Sequence, residues 1–333
     1  MMTWFLVEAL GTTHEPMTIV SKDGQKRDWT GIRRFDRDEG VDLLESLNWV
    51  RRSGTTVTQT ITGGMGPRHV EAHPILSVEN EVYGIHVWIG REDEPVPPHR
   101  PGAAISWRLD DLIVQQRLES WMMSTDDEDG FKRTRSPGEF FRKVVRFDDV
   151  TKLIEIATKP SEGQRFETGI TVLHDRGHLM SWLVVGRTSN TDTHIGMRAL
   201  TYDVTDVAPP QIGPLETLGL TSEPSPDAPA AALLAFPPDS DRAIIAQWIG
   251  KVPAYIDWRR DGDSELIDPD SQRKLARTTA ILEPGLPDSE IVTEARIRAH
   301  NAEGWQPVTI TARRYPGEVG GRLHIIRIAK SDI

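Results

Sequence analysis

The sequence predicts an α+β protein of three tandem domains, each an antiparallel sheet with helices packed on one face. Three observations carry this reading. A pattern of three extended segments joined by turns recurs at residues 57–90, 166–206 and 296–329. A helical stretch precedes each copy, and proline-rich stretches separate the copies. The chain has 333 residues, beyond the size at which one hydrophobic core keeps growing, so several domains are expected.

Proline sets the boundaries. Pro95, Pro97, Pro98 and Pro101 crowd one stretch, and Pro209, Pro210, Pro214, Pro224, Pro226 and Pro229 another. Proline donates no backbone hydrogen bond and restricts the residue before it, so neither stretch suits the interior of an element. The expected domains are residues 1–94, 103–207 and 230–333, joined by linkers at 95–102 and 208–229.

Each domain opens with short extended runs: "TWFLVEAL" and "KRDWTGIRRF", then "AAISWRLDD" and "LESWMMS", then "AALLAF" and "VPAYIDW". A helical stretch follows. In the first domain, Val41, Leu44, Leu47 and Val50 share one helical face. In the second, Ser136 at the N-cap, Pro137 in the first turn and Glu139 three residues after the cap form a capping-box arrangement. Phe140, Phe141, Val144 and Val145 continue that stretch, and Leu153 and Ile154 extend it. In the third, Asp268 caps a helix that Pro269 starts.

The closing segments alternate. Thr293, Ala295, Ile297 and Ala299 share one face, and Glu294, Arg296, Arg298 and His300 the other. That is a half-solvated antiparallel strand. The turns "HNAEG" and "YPGEVGG" carry the residues hairpins need. In "LHIIRIA", Leu323 and Ile325 lie on one side and Ile326 and Ile328 on the other. A strand apolar on both sides is buried on both, so a neighbouring domain or a second chain is expected on the outer face of this last sheet.

Composition excludes several chemistries. With no cysteine, disulfides, iron–sulfur clusters, thiolate zinc sites and cysteine nucleophiles are ruled out. The net charge of -11 and the scattering of basic residues as short pairs argue against nucleic acid as a partner. No apolar run approaches the ~18 residues of a membrane span. The apolar stretch from Trp4 to Leu10 lacks a basic flank and is interrupted by Glu8, unlike a signal peptide. A cytoplasmic protein is expected.

The candidate sites divide into sharp readings and plain ones. His69, Glu71 and His73 recur at period 2, which puts them on one strand face in an arrangement resembling a metal site; a polar, solvent-facing strand face is the plainer account. His86, His300 and His324 read as satisfied sheet histidines. A calcium loop counted from Asp257 through Asp261, Gly262 and Asp268 would place the cation Arg259 where an oxygen ligand is needed. Ser271 and Lys274 spell S-x-x-K without its companion motifs. Gly63–Gly66 reads as a hairpin turn and "STDDEDG" as an acidic loop, while "EAL" at Glu8–Leu10 lacks the surroundings that would give it meaning. Of the ten tryptophans, Trp4, Trp29, Trp88, Trp107, Trp121, Trp182, Trp258 and Trp305 fall in expected strands. Packing between sheet and helix explains them before any ligand does.

The order of strands, helices and three closing strands resembles the PAS fold. The middle domain, with its longer helical portion and the inserted "GRTSNTDTHIG", resembles either PAS or the related GAF fold. The whole chain is similar to an actinobacterial family built of three such sensor domains with no output domain. The resemblance implies a non-enzymatic cytoplasmic sensor or signalling adaptor. Such a protein binds a small molecule, a partner signalling protein or both, and its output passes through a separate protein; a homodimer is one assembly it allows. It assigns no catalytic residue, no metal, no cofactor and no named cofactor-binding residue. The lack of cysteine excludes cysteinyl–flavin adducts and thioether-linked bilins. Two other classes stand beside this one. One is a hydrolase using Glu71 with its flanking histidines, or Asp110–Asp111. The other is a ligand-free interaction scaffold. A pocket with convergent polar groups favours the sensor, a perturbed titratable pair in a cleft the hydrolase, and three filled cores the scaffold.

Overall fold

The computed structural model describes residues 3–12, 14–63, 66–109, 113–158, 160–191, 194–213, 217, 227–236, 240–258, 265–282, 289–300, 304–315 and 323–331. Its three sheets are antiparallel throughout and few helices accompany them. In the first unit, strands β1 (Thr3–Glu8), β2 (Thr18–Lys22) and β3 (Gln25–Gly31) precede helices α1 (Ile32–Glu39) and α2 (Leu44–Ser53). Strands β4 (Val57–Gly63), β5 (Gly66–Leu76) and β6 (Val82–Arg91) close it, giving the order β3-β2-β1-β6-β5-β4.

The second unit contains β7 (Gly102–Arg108), β8 (Ile113–Gln116), α3 (Leu118–Met122), β9 (Thr134–Arg135), α4 (Pro137–Phe140) and β10 (Val144–Arg146). Helix α5 (Val150–Thr158) and strands β11 (Arg165–Leu173), β12 (Leu179–Thr191) and β13 (His194–Asp203) follow, in the order β10-β11-β12-β13-β7-β8-β9. The third has β14 (Ala230–Ala235), β15 (Ile244–Ile249), α6 (Pro269–Thr279), β16 (Glu290–Arg298), β17 (Trp305–Arg314) and β18 (Leu323–Lys330), in the order β15-β14-β18-β17-β16. In all three, the first strand pairs with the last and the last three form a meander.

The thrice-written ending is thus one sheet half built three times. Both expected N-caps are present: Ser136 Oγ accepts from Glu139 N at 3.3 Å, and Asp268 accepts from Asp270 N and Ser271 N. Four stretches differ from the sequence reading. Ile32–Phe35 open helix α1 and do not continue a strand. Leu118–Met122 form helix α3. The helix after Ser136 stops at Phe140, and Val144–Arg146 form a strand, as two β-branched residues prefer. Residues 252–258 make one isolated bridge, Ile256 with Ala299, because Pro253 has no N–H to give a ladder; the strand of that region is β15 instead. The turns at 301–303 and 316–322 lie outside the described residues.

At its centre each sheet is buried on both faces, while edge strands such as β16 keep one exposed face. Phe5, Val7, Ile85 and Val87 pack beneath Leu47 and Val50 of α2, while the alternate residue Leu6 faces away. There Leu6, Val20 and Tyr83 meet Leu183, Val185, Leu200 and Tyr202 of the second unit, back to back. The helix side of the second sheet packs Trp107, Phe166, Leu153 and Ile154 together with Leu233, Ile244 and Leu323 of the third unit. Ile326 and Ile328 point the other way, into the third unit's own core with Leu275 of α6. The neighbour expected over Leu323 and Ile325 is therefore the second unit. Layers run helices, sheet, sheet, helices, sheet, helix. Glycine permits close approaches between units at two points. A Cβ on Gly84 would sit 2.7 Å from Leu200 Cδ1, and one on Gly138 would sit 2.9 Å from the Ile245 carbonyl oxygen.

One ion pair lies inside the back-to-back junction. Arg187 Nη2 donates to Glu8 Oε1 at 2.9 Å, with the side chains 5% and 0% exposed. Glu8 also accepts from Thr18 Oγ1 at 2.6 Å and from Leu10 N at 3.0 Å. Full burial of Leu6 and Leu200 contributes roughly 1.5–3 kcal/mol each, and these apolar neighbours offset the desolvation of the pair. Removing one partner leaves the other charged and buried. Arg187→Met is expected to destabilise the full chain by about 3–5 kcal/mol in urea unfolding, and adding Glu8→Gln should recover most of that loss. Equal loss in the single and double variants would contradict the pairing.

Candidate functional site

An open cleft of about 660 Å³ lies between the first two units. Its walls come from the β2–β3 hairpin (Gly24 to Lys26), from Arg146 and Asp148 after β10, from Glu167 and Gly169 of β11, and from Val207 to Gln211 after the last strand of the second unit. The hairpin reaches this far because Asp23 and Gly24 both take positive φ, 49° and 83°. Glu167 holds the two units together here. It accepts from Trp29 Nε1 at 2.9 Å and lies 3.3 Å from Lys26 Nζ. The Trp29 ring lies between two guanidinium groups, Arg165 at 4.7 Å and Arg187 at 5.2 Å. Arg146 clamps Asp148 through Nε and Nη2, and these hydrogen bonds hold the Asp148 carboxyl below its ordinary range. The cleft therefore offers both signs of charge beside the apolar Val204 and Val207.

The sequence-predicted trio lies elsewhere, on the outer face of the first sheet, and does not line the cleft. His69 Nε2 and His73 Nε2 meet opposite oxygens of Glu71, at 3.2 and 2.9 Å. Burial pushes the Glu71 carboxyl up, but these two hydrogen bonds outweigh it and hold it below its ordinary value. The expectation of a solvent-facing strand face is corrected: the three side chains are only 21–32% exposed. His69 packs on Trp88, and His73 on Trp4 and His99. The proline-rich segment 95–102 forms the cover. Pro97 O accepts from Trp4 Nε1 at 3.1 Å, His99 stacks on His86 at 4.2 Å, and Arg100 grips Asp206 through Nε at 2.9 Å. Among the described residues no group of three or more His, Cys, Asp or Glu is arranged to hold a metal ion.

The other candidates are spent on structure. The Ser271 hydroxyl donates to Asp268 and accepts from Arg296 N at 2.9 Å, while Lys274 Nζ donates to Glu294 O at 3.0 Å; serine and lysine do not meet. Glu8 of the "EAL" tripeptide is the buried partner of Arg187. Asp110, Asp111, Arg259, Asp261 and Gly262 lie outside the described residues. Trp121 stands on helix α3 and Trp258 in a loop, whereas the other six named tryptophans are in strands as expected. Sequence reasoning missed a second, interior cavity of about 30 Å³ in the middle unit, where Arg135, Arg142 and Lys143 surround Trp121. The only trace of it was the basic run "KRTRSPGEFFRK", whose residues scatter over three elements before converging.

Comparison with known proteins places this architecture. A family model described as Rv3651-like, N-terminal, matches residues 3–98. A solved structure of an uncharacterized protein from Mycobacterium tuberculosis is similar across 98% of this chain and 96% of that one, with a TM-score of 0.76 and 17% identity. The chain shares that protein's fold from end to end. An RNA-binding light-oxygen-voltage receptor aligns over 68% of this chain and 94% of its own at 9% identity, with a TM-score of 0.28, and no argument rests on it. A search of curated proteins gives no match. Among the described residues no helix is long and apolar enough to cross a membrane.

Two histidines depart from the satisfied state expected of them. His86 and His324 are each 2% exposed, and their Nδ1 atoms have no hydrogen-bond partner among the described residues. Burial pulls both down, His86 well below its ordinary value and His324 to about 4, with Arg314 adding to the effect on His324. A buried neutral histidine must be protonated as the chain unfolds in acid. Its stabilising effect is therefore full above the unfolded value near 6.5 and is lost as pH falls toward 4. Asp36, pushed up to about 6 mainly by burial, acts in the opposite sense. The difference between wild type and His324→Leu isolates the histidine: it should shift by roughly 3 kcal/mol in favour of the variant between about pH 7 and pH 4. Parallel pH profiles for the two proteins would show that His324 titrates alike in the folded and unfolded states, against this reading.

Proposed function

We propose that the protein is a non-enzymatic sensor or signalling adaptor built of PAS/GAF-like units. It binds a small molecule in the cleft between its first two units, and a separate partner protein receives the resulting change in shape. The observation that carries this reading is the origin of the cleft walls. They come from two units and from the segment leaving the second, so a ligand there touches three parts of the chain at once. About 660 Å³ lies within the range of small-molecule sites, roughly 300–1,000 Å³, and such sites favour domain interfaces. A ligand that prefers one arrangement of the units shifts the population toward it by its differential affinity. The PAS/GAF-like assignment draws on the topology: helices inserted before a three-stranded meander, packed on one face of the sheet.

The hydrolase reading has less behind it. Glu71 is committed to two histidine hydrogen bonds under the proline-rich cover, and it lines none of the cavities described above. The scaffold reading draws on the small size of the interior cavity, about 30 Å³, but leaves the cleft without a role.

Native mass spectrometry of the purified protein, and of protein incubated with a metabolite extract, tests the proposal. The expected result is one bound small molecule that leaves unchanged in mass. Gly169→Trp, at a cleft position where an added Cβ meets nothing within 4 Å, should abolish binding and leave the unfolding midpoint near wild type. A ligand that survives this substitution, or that is converted to product, overturns the proposal.

A further inference from the structure

The interior cavity of the middle unit is lined in part by residues, Arg135 and Trp182, whose buried donors have no acceptor among the described residues. Arg135, on strand β9, is 4% exposed, and its guanidinium lies 4.0 Å from the Trp121 ring. Its Nε and Nη2 have no hydrogen-bond partner among the described residues. These two N–H groups form one edge of the guanidinium, and that edge grips carboxylates elsewhere in this chain. Arg100 uses it on Asp206, at 2.9 and 2.5 Å, and Arg146 uses it on Asp148, at 3.0 and 2.7 Å. The nearest carboxylate to Arg135, Glu139 Oε1, stands 4.0 Å from Nε, beyond hydrogen-bond reach. Trp182, which lines both this cavity and the cleft, carries a third buried donor, Nε1, without an acceptor among the described residues.

Other charged groups stand close to these donors. Arg142 and Lys143 line the same cavity. Lys143 is held by Asp175 at 2.7 Å and by Ser124 O at 2.8 Å, and Lys132 stands 3.9 Å from Glu139. Gln116, Ser120 and Ser124 add neutral polar groups. Burial pulls the Arg135 guanidinium down to about 10, Glu139 opposing and Arg142 adding, so it stays charged at neutral pH. Buried donors of this kind are normally matched by an acceptor.

We infer that the middle unit holds a small oxyanion, a monovalent carboxylate or nitrate-like ion of three or four heavy atoms, bound two-point by the Nε–Nη2 edge of Arg135 and by Trp182 Nε1. The size follows from the space. A water needs about 10–15 Å³ of such volume, so about 30 Å³ admits roughly two water-sized groups. That suits formate, bicarbonate or nitrate, and it is too small for a flavin or a heme. The site would set how firmly α3 and α4 sit on the sheet, because Trp121 stands on α3 and Arg135 immediately precedes the N-cap of α4.

The test is isothermal titration of the full chain with sodium formate, sodium nitrate, sodium phosphate and the neutral analogue formamide, alongside thermal unfolding at constant ionic strength. Formate or nitrate should bind with one-to-one stoichiometry in the millimolar range or tighter and raise the unfolding midpoint by several degrees; formamide should do neither. Arg135→Met should abolish both effects, and Trp182→Phe, which keeps the ring and removes only the donor, should weaken binding several-fold. The exposed Arg33→Gln should respond as wild type. Binding of formamide equal to formate, tighter binding of phosphate than of either small ion, or an unchanged response in Trp182→Phe would overturn the inference. Trp182 lines the cleft as well, but Arg135 lines only the interior cavity of the two, so a failure of formate and nitrate binding leaves the proposed sensor function standing, and the Gly169→Trp experiment decides that separately.

Discussion

The back-to-back contact of the first two sheets, with Glu8 and Arg187 at its centre, is the constraint on which the rest depends. A sheet with one wet face could serve as an independent domain. Here Leu6, Leu200 and Tyr202 are inside the contact, so neither sheet is complete without the other. Placing an ion pair among them costs desolvation, and the pair is tolerated because Glu8 is saturated by Arg187, Thr18 and the Leu10 amide. A carboxylate with three donors fixed in place also fixes register: sliding one sheet past the other would strand it. The cleft inherits its geometry from this contact, since Trp29 bridges Glu167 and Arg187, one at the cleft and one at the ion pair.

What the sequence disclosed follows from the range of the signals. The meanders at 57–90, 166–206 and 296–329 were legible because period-2 alternation and turn residues are local. The helix starts at Ser136 and Asp268 were legible because a cap is decided by one residue and its near neighbours. Errors fell where an element is too short to show its period. Helix α3 has five residues and α4 four, little more than one turn, so "LESWMMS" and the run after Ser136 carried no usable periodicity. Strand β15 was passed over for the aromatic-rich 252–258, where Pro253 denies the ladder a donor.

The sites were less legible for a physical reason. His69, Glu71 and His73 could be found because one strand presents them all. The cleft could not, because its walls are brought together only when three separated stretches pack, and none has a motif of its own. The interior cation cluster is intermediate. Arg135, Arg142 and Lys143 are close in sequence, but a strand carries the first and the 3-10 turn after α4 the other two, and charged residues in so polar a stretch read first as solvated. Burial, and not residue type, distinguishes them.

The two-faced burial of the first sheet has a consequence for how the chain is made. That sheet is complete at Arg91, but its partner surface is finished only with the strand ending at Asp203. At roughly 5–20 residues per second, the ribosome adds the intervening stretch over several seconds or more. Throughout that interval Leu6, Val20 and the Glu8 carboxylate, without Arg187, face solvent or a chaperone instead of their partners. Synthesis rate across the middle of the message, and not the stability of the finished protein, would then govern how many chains reach the folded state.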